Sequence, residues 1–325
     1  MTPSPPPPDR STIAVTLGDP RGIGPEVAFR AVEKLARELP TARFVLIGPE
    51  ELLRSAPRSH PTVPVEGWDG TEAGAGRVSA LAIEEAVRRA LAGEVGAVVT
   101  APVHKPALHK AGWRVPGQTE LLRDLTGAPV VGMLMAAETT RLGGPLRVLL
   151  ATTHLALRDV PAAVTGELLR AQATLLHASL RGDWGMPAPR LALCALNPHA
   201  SDQGLFGDEE ERVLGPAVAL LRAEGVDISP PLPADTVFGR ALAGAFDAVI
   251  APYHDVGMAA FKTVSFGAGV NVTLGLPFIR TSPDHGTAFD LAPHPGRADA
   301  ASMEQALRLA LRLAKTRFDS AVGHV

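Results

Sequence analysis

Three histidines in this chain close apolar runs in the same way: LLATTH ends on His154, CALNPH on His199 and VIAPYH on His254. In each case a few turn residues separate the apolar stretch from the imidazole. Neutral imidazoles ligate zinc, cobalt and related divalent ions, and three of them leave positions open for a substrate. Asp255 follows His254 directly and Asp235 stands in PADTVF; either carboxylate is placed to add a ligand or act as a general base. A single histidine in such a place is more often a loop residue satisfied by hydrogen bonds, so only the repetition favours a shared site. A second set, Lys262, Asn271 and Arg280, is spaced nine residues apart through FKTVSFGAGVNVTLGLPFIRTS. An ammonium, an amide and a forked guanidinium suit a phosphate or carboxylate, although the two cations taken singly read as solvated surface charges.

These residues need elements to position them. Short β-rich runs recur at 12–17, 43–48, 96–102, 146–154, 191–199, 246–255 and 269–275, near-continuously apolar as in strands covered on both faces. Helix-like segments separate them, among them VSALAIEEAVRRALAG (78–93), stopped by Gly93, and a last helix opened by Ser302 and Gln305 at capping-box spacing. The alternation predicts an α/β protein with a mostly parallel sheet, in which ligands gather at the carboxyl ends of strands. Histidines far apart in sequence can meet there.

Composition removes other classes. The 325 residues carry 31 basic and 34 acidic side chains, net −3, without a basic run, so nucleic acid is not an expected partner. No stretch approaches the ~18 apolar residues of a membrane helix, and the proline-rich start, residues 1–11, lacks a signal-peptide core and reads as a tail outside the fold. The lone Cys194 fits a reducing compartment; a soluble cytoplasmic protein is expected. The first loop, GDPRGIGPEV (18–27), has Val27 where a dinucleotide fingerprint needs its third glycine, and reads as a structural turn. Neither a GxSxG elbow nor an HExxH pair is present.

Taken together, TLGDPRGIGPE, TAPVHKPALHKAG, GQTELL, TTHLALRDV, LNPHASDQGLFGDEE, PADTVF, APYHDVGMAAFK and GVNVTLGLPFIRTSPDHGTAFDLA resemble the 4-hydroxythreonine-4-phosphate dehydrogenase family of pyridoxal phosphate biosynthesis, from about residue 12 to 315. The resemblance implies the isocitrate and isopropylmalate dehydrogenase-like architecture: two α/β/α domains with mostly parallel sheets and an active-site cleft between them, in a homodimer. The domains would be 12–125 with 270–325, and 126–269, the latter carrying the metal ligands and dimer contacts. It implies one divalent metal per subunit, shared across the dimer, on His154, His199 and His254; imidazoles admit zinc or cobalt, and magnesium less readily. Substrate binding falls to Gln118, Thr119, Lys262, Asn271 and Arg280, proton transfer to Asp235 or Asp255 beside Lys262, and NAD or NADP to the DHGTA segment at His285, Gly286 and Thr287. The reaction implied is oxidation of a phosphorylated hydroxy amino acid to a β-keto acid that loses carbon dioxide. Two departures are plain: Gln118 stands where the family's GHTE motif has histidine, and NPHASD replaces NPHAGE. They leave open a paralogous dehydrogenase for 4-phospho-threonate, phospho-erythronate or a dihydrodiol dicarboxylate, and more distantly a phosphate-handling acyltransferase.

Overall fold

The structure, a computed structural model, describes residues 12–322, so the proline-rich start lies outside the described residues. In chain order the strands are β1 (Thr12–Thr16), β2 (Arg43–Pro49), β3 (Thr62–Val65), β4 (Ala97–Thr100), β5 (Gly132–Ala137), β6 (Leu146–Leu150), β7 (Leu191–Cys194), β8 (Ile228–Leu232), β9 (Ala248–Ala251), β10 (Val270–Leu274) and β11 (Ile279–Pro283). Two compact units form: one runs up to Pro129 and resumes at Leu276, and the other is Val130–Gly275.

In the first unit the strand order is β3-β2-β1-β4-β11, all parallel. Every residue of β1 and β4 is buried, as expected of strands covered on both faces. The helix Gly24–Glu38 starts with Pro25 in its first turn and buries Val27, Ala28, Ala31, Val32 and Leu35. Gly24 is required by packing, since a Cβ there would come within 2.4 Å of the Leu17 carbonyl oxygen. The segment expected from 78 begins earlier, at Glu72, because Thr71 caps it by accepting from the Gly74 N–H at 2.9 Å. The last helix is Ala301–Val322. Ser302 does not cap it as the spacing suggests: its hydroxyl turns to Asp284, and Asp299 accepts from the Ala301 N–H instead.

In the second unit the order is β10-β5-β6-β9-β7-β8; β10, β5 and β6 are antiparallel neighbours, and β6, β9, β7 and β8 are parallel. β10, expected with the first domain, pairs with β5 and belongs here. Pro230 and Pro231 sit in β8, an outer strand, where its register with β7 shifts and the Leu193 N–H bonds the Ser229 hydroxyl at 3.1 Å instead. Met135, Val148, Leu150, Ala192, Val249, Ala251, Val237 and Phe261 pack one side of this sheet. Cys194 is buried among them, and burial pushes its thiol up to about 12, so it stays protonated and unreactive. Among the described residues no helix is long and apolar enough to cross a membrane.

Candidate active site

β6, β7 and β9 stop at Leu150, Cys194 and Ala251, so each of the three histidines stands a few residues past the carboxyl end of a strand. Two of them meet: the rings of His154 and His254 lie 5.3 Å apart, over a cavity of about 310 Å³ that Thr153, Tyr253 and Asp255 also line. His254 opens the helix His254–Ser265, and its Nδ1 is 2.7 Å from Asp255 Oδ1. A carboxylate on Nδ1 directs Nε2 toward a ligand, the arrangement in which metal-binding imidazoles are held. This makes Asp255, itself almost fully exposed, an orienting group for His254.

His199 does not join that pair. It lines a separate cavity of about 290 Å³ with Asn197, Asp235 and Tyr253, so that Tyr253 borders both spaces. Among the described residues no three His, Cys, Asp or Glu side chains of one chain are grouped closely enough to hold a metal. The turn carrying His199 is unusual: His199, Ala200, Ser201, Asp202 and Gln203 all have positive φ, between 44° and 74°. Each such residue without glycine's freedom costs about 1 kcal/mol, so the surroundings must hold the turn. Buried Glu210 does so at one end, accepting from the Leu196 and Asn197 N–H groups at 2.9 and 2.8 Å and from Asn197 Nδ2 at 2.8 Å. Ser201 closes the other end by donating to the Gly207 carbonyl. Lys262 is exposed on the helix His254–Ser265, and Asn271 lies on β10 with its Oδ1 buried and unbonded by the protein.

The remaining candidates belong to the first unit. Arg280, on β11, is buried and donates to Thr100 Oγ1 at 2.6 Å and Gln118 Oε1 at 3.1 Å. Burial pulls its pKa down to about 10, against the opposing pull of Glu120, which leaves it cationic at neutral pH. Gln118 and Thr119 open the helix Gln118–Thr126. In the DHGTA segment, the Thr287 carbonyl accepts from the Ile23 N–H at 3.0 Å, and a Cβ on Gly22 would lie 2.6 Å from that same oxygen. Gly22 of the first loop therefore serves close contact with the 284–288 segment, as a structural turn would. His285 presents Nδ1 to the Gly286 carbonyl at 3.0 Å, while its Nε2 is buried without a partner.

A family model described as pyridoxal phosphate biosynthetic protein PdxA matches residues 32–310. The chain belongs to this family. It is 43% identical to a 4-hydroxythreonine-4-phosphate dehydrogenase of Chromobacterium violaceum, over 94% of this chain and 98% of the relative. A solved 4-hydroxythreonine-4-phosphate dehydrogenase from Klebsiella pneumoniae superposes with a TM-score of 0.81 at 38% identity, covering 93% of this chain and 99% of that one. A terephthalate 1,2-cis-dihydrodiol dehydrogenase from Burkholderia xenovorans superposes with a TM-score of 0.65 at 27% identity, covering 93% and 97%.

This PdxA-family chain also holds a charged cluster that the spacing of residues does not reveal. Fully buried Asp19 grips Arg21 through both oxygens, at 3.0 and 2.8 Å. Arg21 lies 3.3 Å from His104 Nδ1 and 3.8 Å from Glu72, and Glu72 also pairs with Lys110. The guanidinium stacks 4.9 Å over Phe289, whose ring meets His104 edge-on at 5.1 Å. Its members follow β1, β4 and β11 or open the helix Glu72–Leu91. The signal available in the sequence was Asp19 inside the Gly- and Pro-rich turn after β1, the kind of position where strand-end ligands are read.

Proposed function

We propose that this chain is a 4-hydroxythreonine-4-phosphate dehydrogenase of pyridoxal phosphate synthesis, a metabolic enzyme of the cytoplasm. It oxidises the secondary alcohol of 4-phosphooxy-L-threonine to a β-keto acid, which loses carbon dioxide to give 3-amino-2-oxopropyl phosphate. The observation that carries this reading is the meeting of His154 and His254 over one cavity, with His254 oriented by Asp255. Two imidazoles so held fit a divalent ion of the zinc or cobalt type. When bound by His154, His254 and His199, that ion supplies Lewis acidity at the alcohol oxygen. His285, Gly286 and Thr287 would hold the adenine side of NAD or NADP, which would supply the hydride acceptor.

The chain's own residues do the rest. Arg280 and Lys262 are assigned to the anionic groups of the substrate and the Thr119 hydroxyl to a further contact with it, and Asn271 Oδ1, buried and unbonded by the protein, accepts from an amine or hydroxyl donor. Asp235, exposed in the His199 cavity at the start of the helix Ala234–Leu242, takes the alcohol proton as hydride leaves carbon. Loss of carbon dioxide leaves an enolate that takes up one proton on carbon, which balances the proton given up by the alcohol, while the two electrons leave as the hydride.

His199 lies apart from the other two ligands, and its turn and the loop after His154 expose Leu155, Leu157, Leu205 and Phe206. Large apolar side chains exposed beside an incomplete site fit a second copy of the chain, which brings His199 of one subunit to His154 and His254 of the other. A substrate panel scored by nicotinamide absorbance tests the assignment: turnover of 4-phosphooxy-L-threonine should exceed that of 4-phospho-threonate and of dihydrodiol dicarboxylates. Faster turnover of either rival would transfer the chain to the paralogous activity.

A further inference from the structure

Two acceptors grip one end of the Arg280 guanidinium, Thr100 Oγ1 and Gln118 Oε1, and both are reached from the same terminal nitrogen. The two protons of that nitrogen lie in the guanidinium plane, so a pair of acceptors fixes the plane as well as the position of the group. Thr100 ends β4 and is wholly buried. Gln118 opens its helix, and its amide nitrogen donates to the Ala101 carbonyl at 3.3 Å. A guanidinium can only donate and a carbonyl can only accept, so the Gln118 amide has one orientation that satisfies both neighbours.

We propose that Gln118 is a positioning residue, aiming Arg280 at the anionic group of the substrate through a tether that carries no charge. The choice of amide has electrostatic consequences. A carboxylate at this position would pair with Arg280 and cancel the charge that attracts the substrate. An imidazole would accept from Arg280 only while unprotonated, so the aim would be lost below about pH 6.5. The amide neither cancels nor titrates, and Arg280 keeps its full charge and its orientation across the physiological range. The inference rests on the reading of Arg280 as a substrate-binding group.

The test is steady-state kinetics with 4-phosphooxy-L-threonine near pH 6 and near pH 8, for the wild type and for Gln118→Leu, Gln118→His, Gln118→Glu and Arg280→Gln, with melting temperatures to verify folding. Gln118→Leu should raise KM about tenfold and change kcat by no more than about threefold, because a charge-assisted bond that orients a binding group is lost. Gln118→Glu should raise KM further. The deciding readout is the KM of Gln118→His divided by that of the wild type, a ratio from which the substrate's own ionisation cancels. That ratio should grow as pH falls, because a protonated imidazole cannot accept from Arg280. A ratio that shrinks as pH falls would mean position 118 touches the anion directly, and an unchanged KM in Gln118→Leu would mean it does neither; both overturn the proposal. An unchanged KM in Arg280→Gln would instead remove Arg280 from the substrate site, a failure of the underlying reading that the other variants tell apart.

Discussion

Glu210 Oε1 accepts from the backbone N–H of Asn197 at 2.8 Å, two residues before His199, and this bond anchors the left-handed turn that presents the imidazole. The same carboxylate takes the Leu196 N–H and the Asn197 side-chain amide, so one buried group satisfies three donors. Replacing it with alanine strands the two backbone donors, while the Asn197 amide keeps its bond to Glu209 at 2.6 Å. Glu210→Ala should lower stability by about 3 kcal/mol, the range for losing charge-assisted bonds in a buried place. It should also weaken zinc binding at least about tenfold, since outer partners of a ligand control its aim. Calorimetric zinc titration checks the second effect; affinity equal to wild type in a folded variant would show that Glu210 does not serve His199.

Much of this arrangement was legible in the sequence, and the reason differs from residue to residue. The apolar runs that became β1, β4, β6, β7 and β9 are nearly continuous because both faces are covered, and that pattern survives in any order of strands. β3, β5, β8 and β11 were not anticipated. β8 contains two prolines, and β11 is a five-residue strand that includes the buried Arg280, which a hydropathy pattern counts as surface. The pairing of Arg280 with Gln118 spans 162 residues and depends on parallel β4 and β11 lying side by side, a fact of topology that spacing cannot supply. The left-handed turn at His199 was hidden for another reason: none of its five residues is glycine, so no composition signal marks it.

Acid should destabilise the protein before its carboxylates titrate. His60 packs edge-on to Phe44 at 5.7 Å with its Nε2 buried and unbonded, and burial holds its pKa below the ordinary imidazole value, against a smaller pull from Glu33. His177 is shifted the same way by burial and by Arg181. With both groups depressed in the folded state, the unfolded chain binds protons more readily. Their contribution to stability is therefore present above about pH 6.5 and lost as pH falls through the lowered folded values. Melting temperatures from pH 7.5 to 5 should fall less steeply in His60→Leu than in the wild type. Parallel curves would remove His60 as a source of the acid sensitivity.

Mixing inactive subunits tests whether the site is shared between two copies of the chain. His199→Ala and His154→Ala homodimers should each be inactive. Unfolded together and refolded, they should regain roughly a quarter of wild-type activity, because half of randomly paired dimers then hold one intact site of two. No recovery, with dimers exchanging subunits, would mean that His154 and His199 act within one chain.

The most direct measurement is nicotinamide reduction by the purified enzyme on 4-phosphooxy-L-threonine, followed with carbon dioxide release, before chelation, after it, and after returning zinc or cobalt. Equal amounts of reduced nicotinamide and carbon dioxide should form, the activity should vanish on chelation and return with metal, and none should return in His254→Ala or His199→Ala. Turnover that persists without metal, or that survives in both histidine variants, would contradict the metal-centred oxidation assigned to His154, His199 and His254.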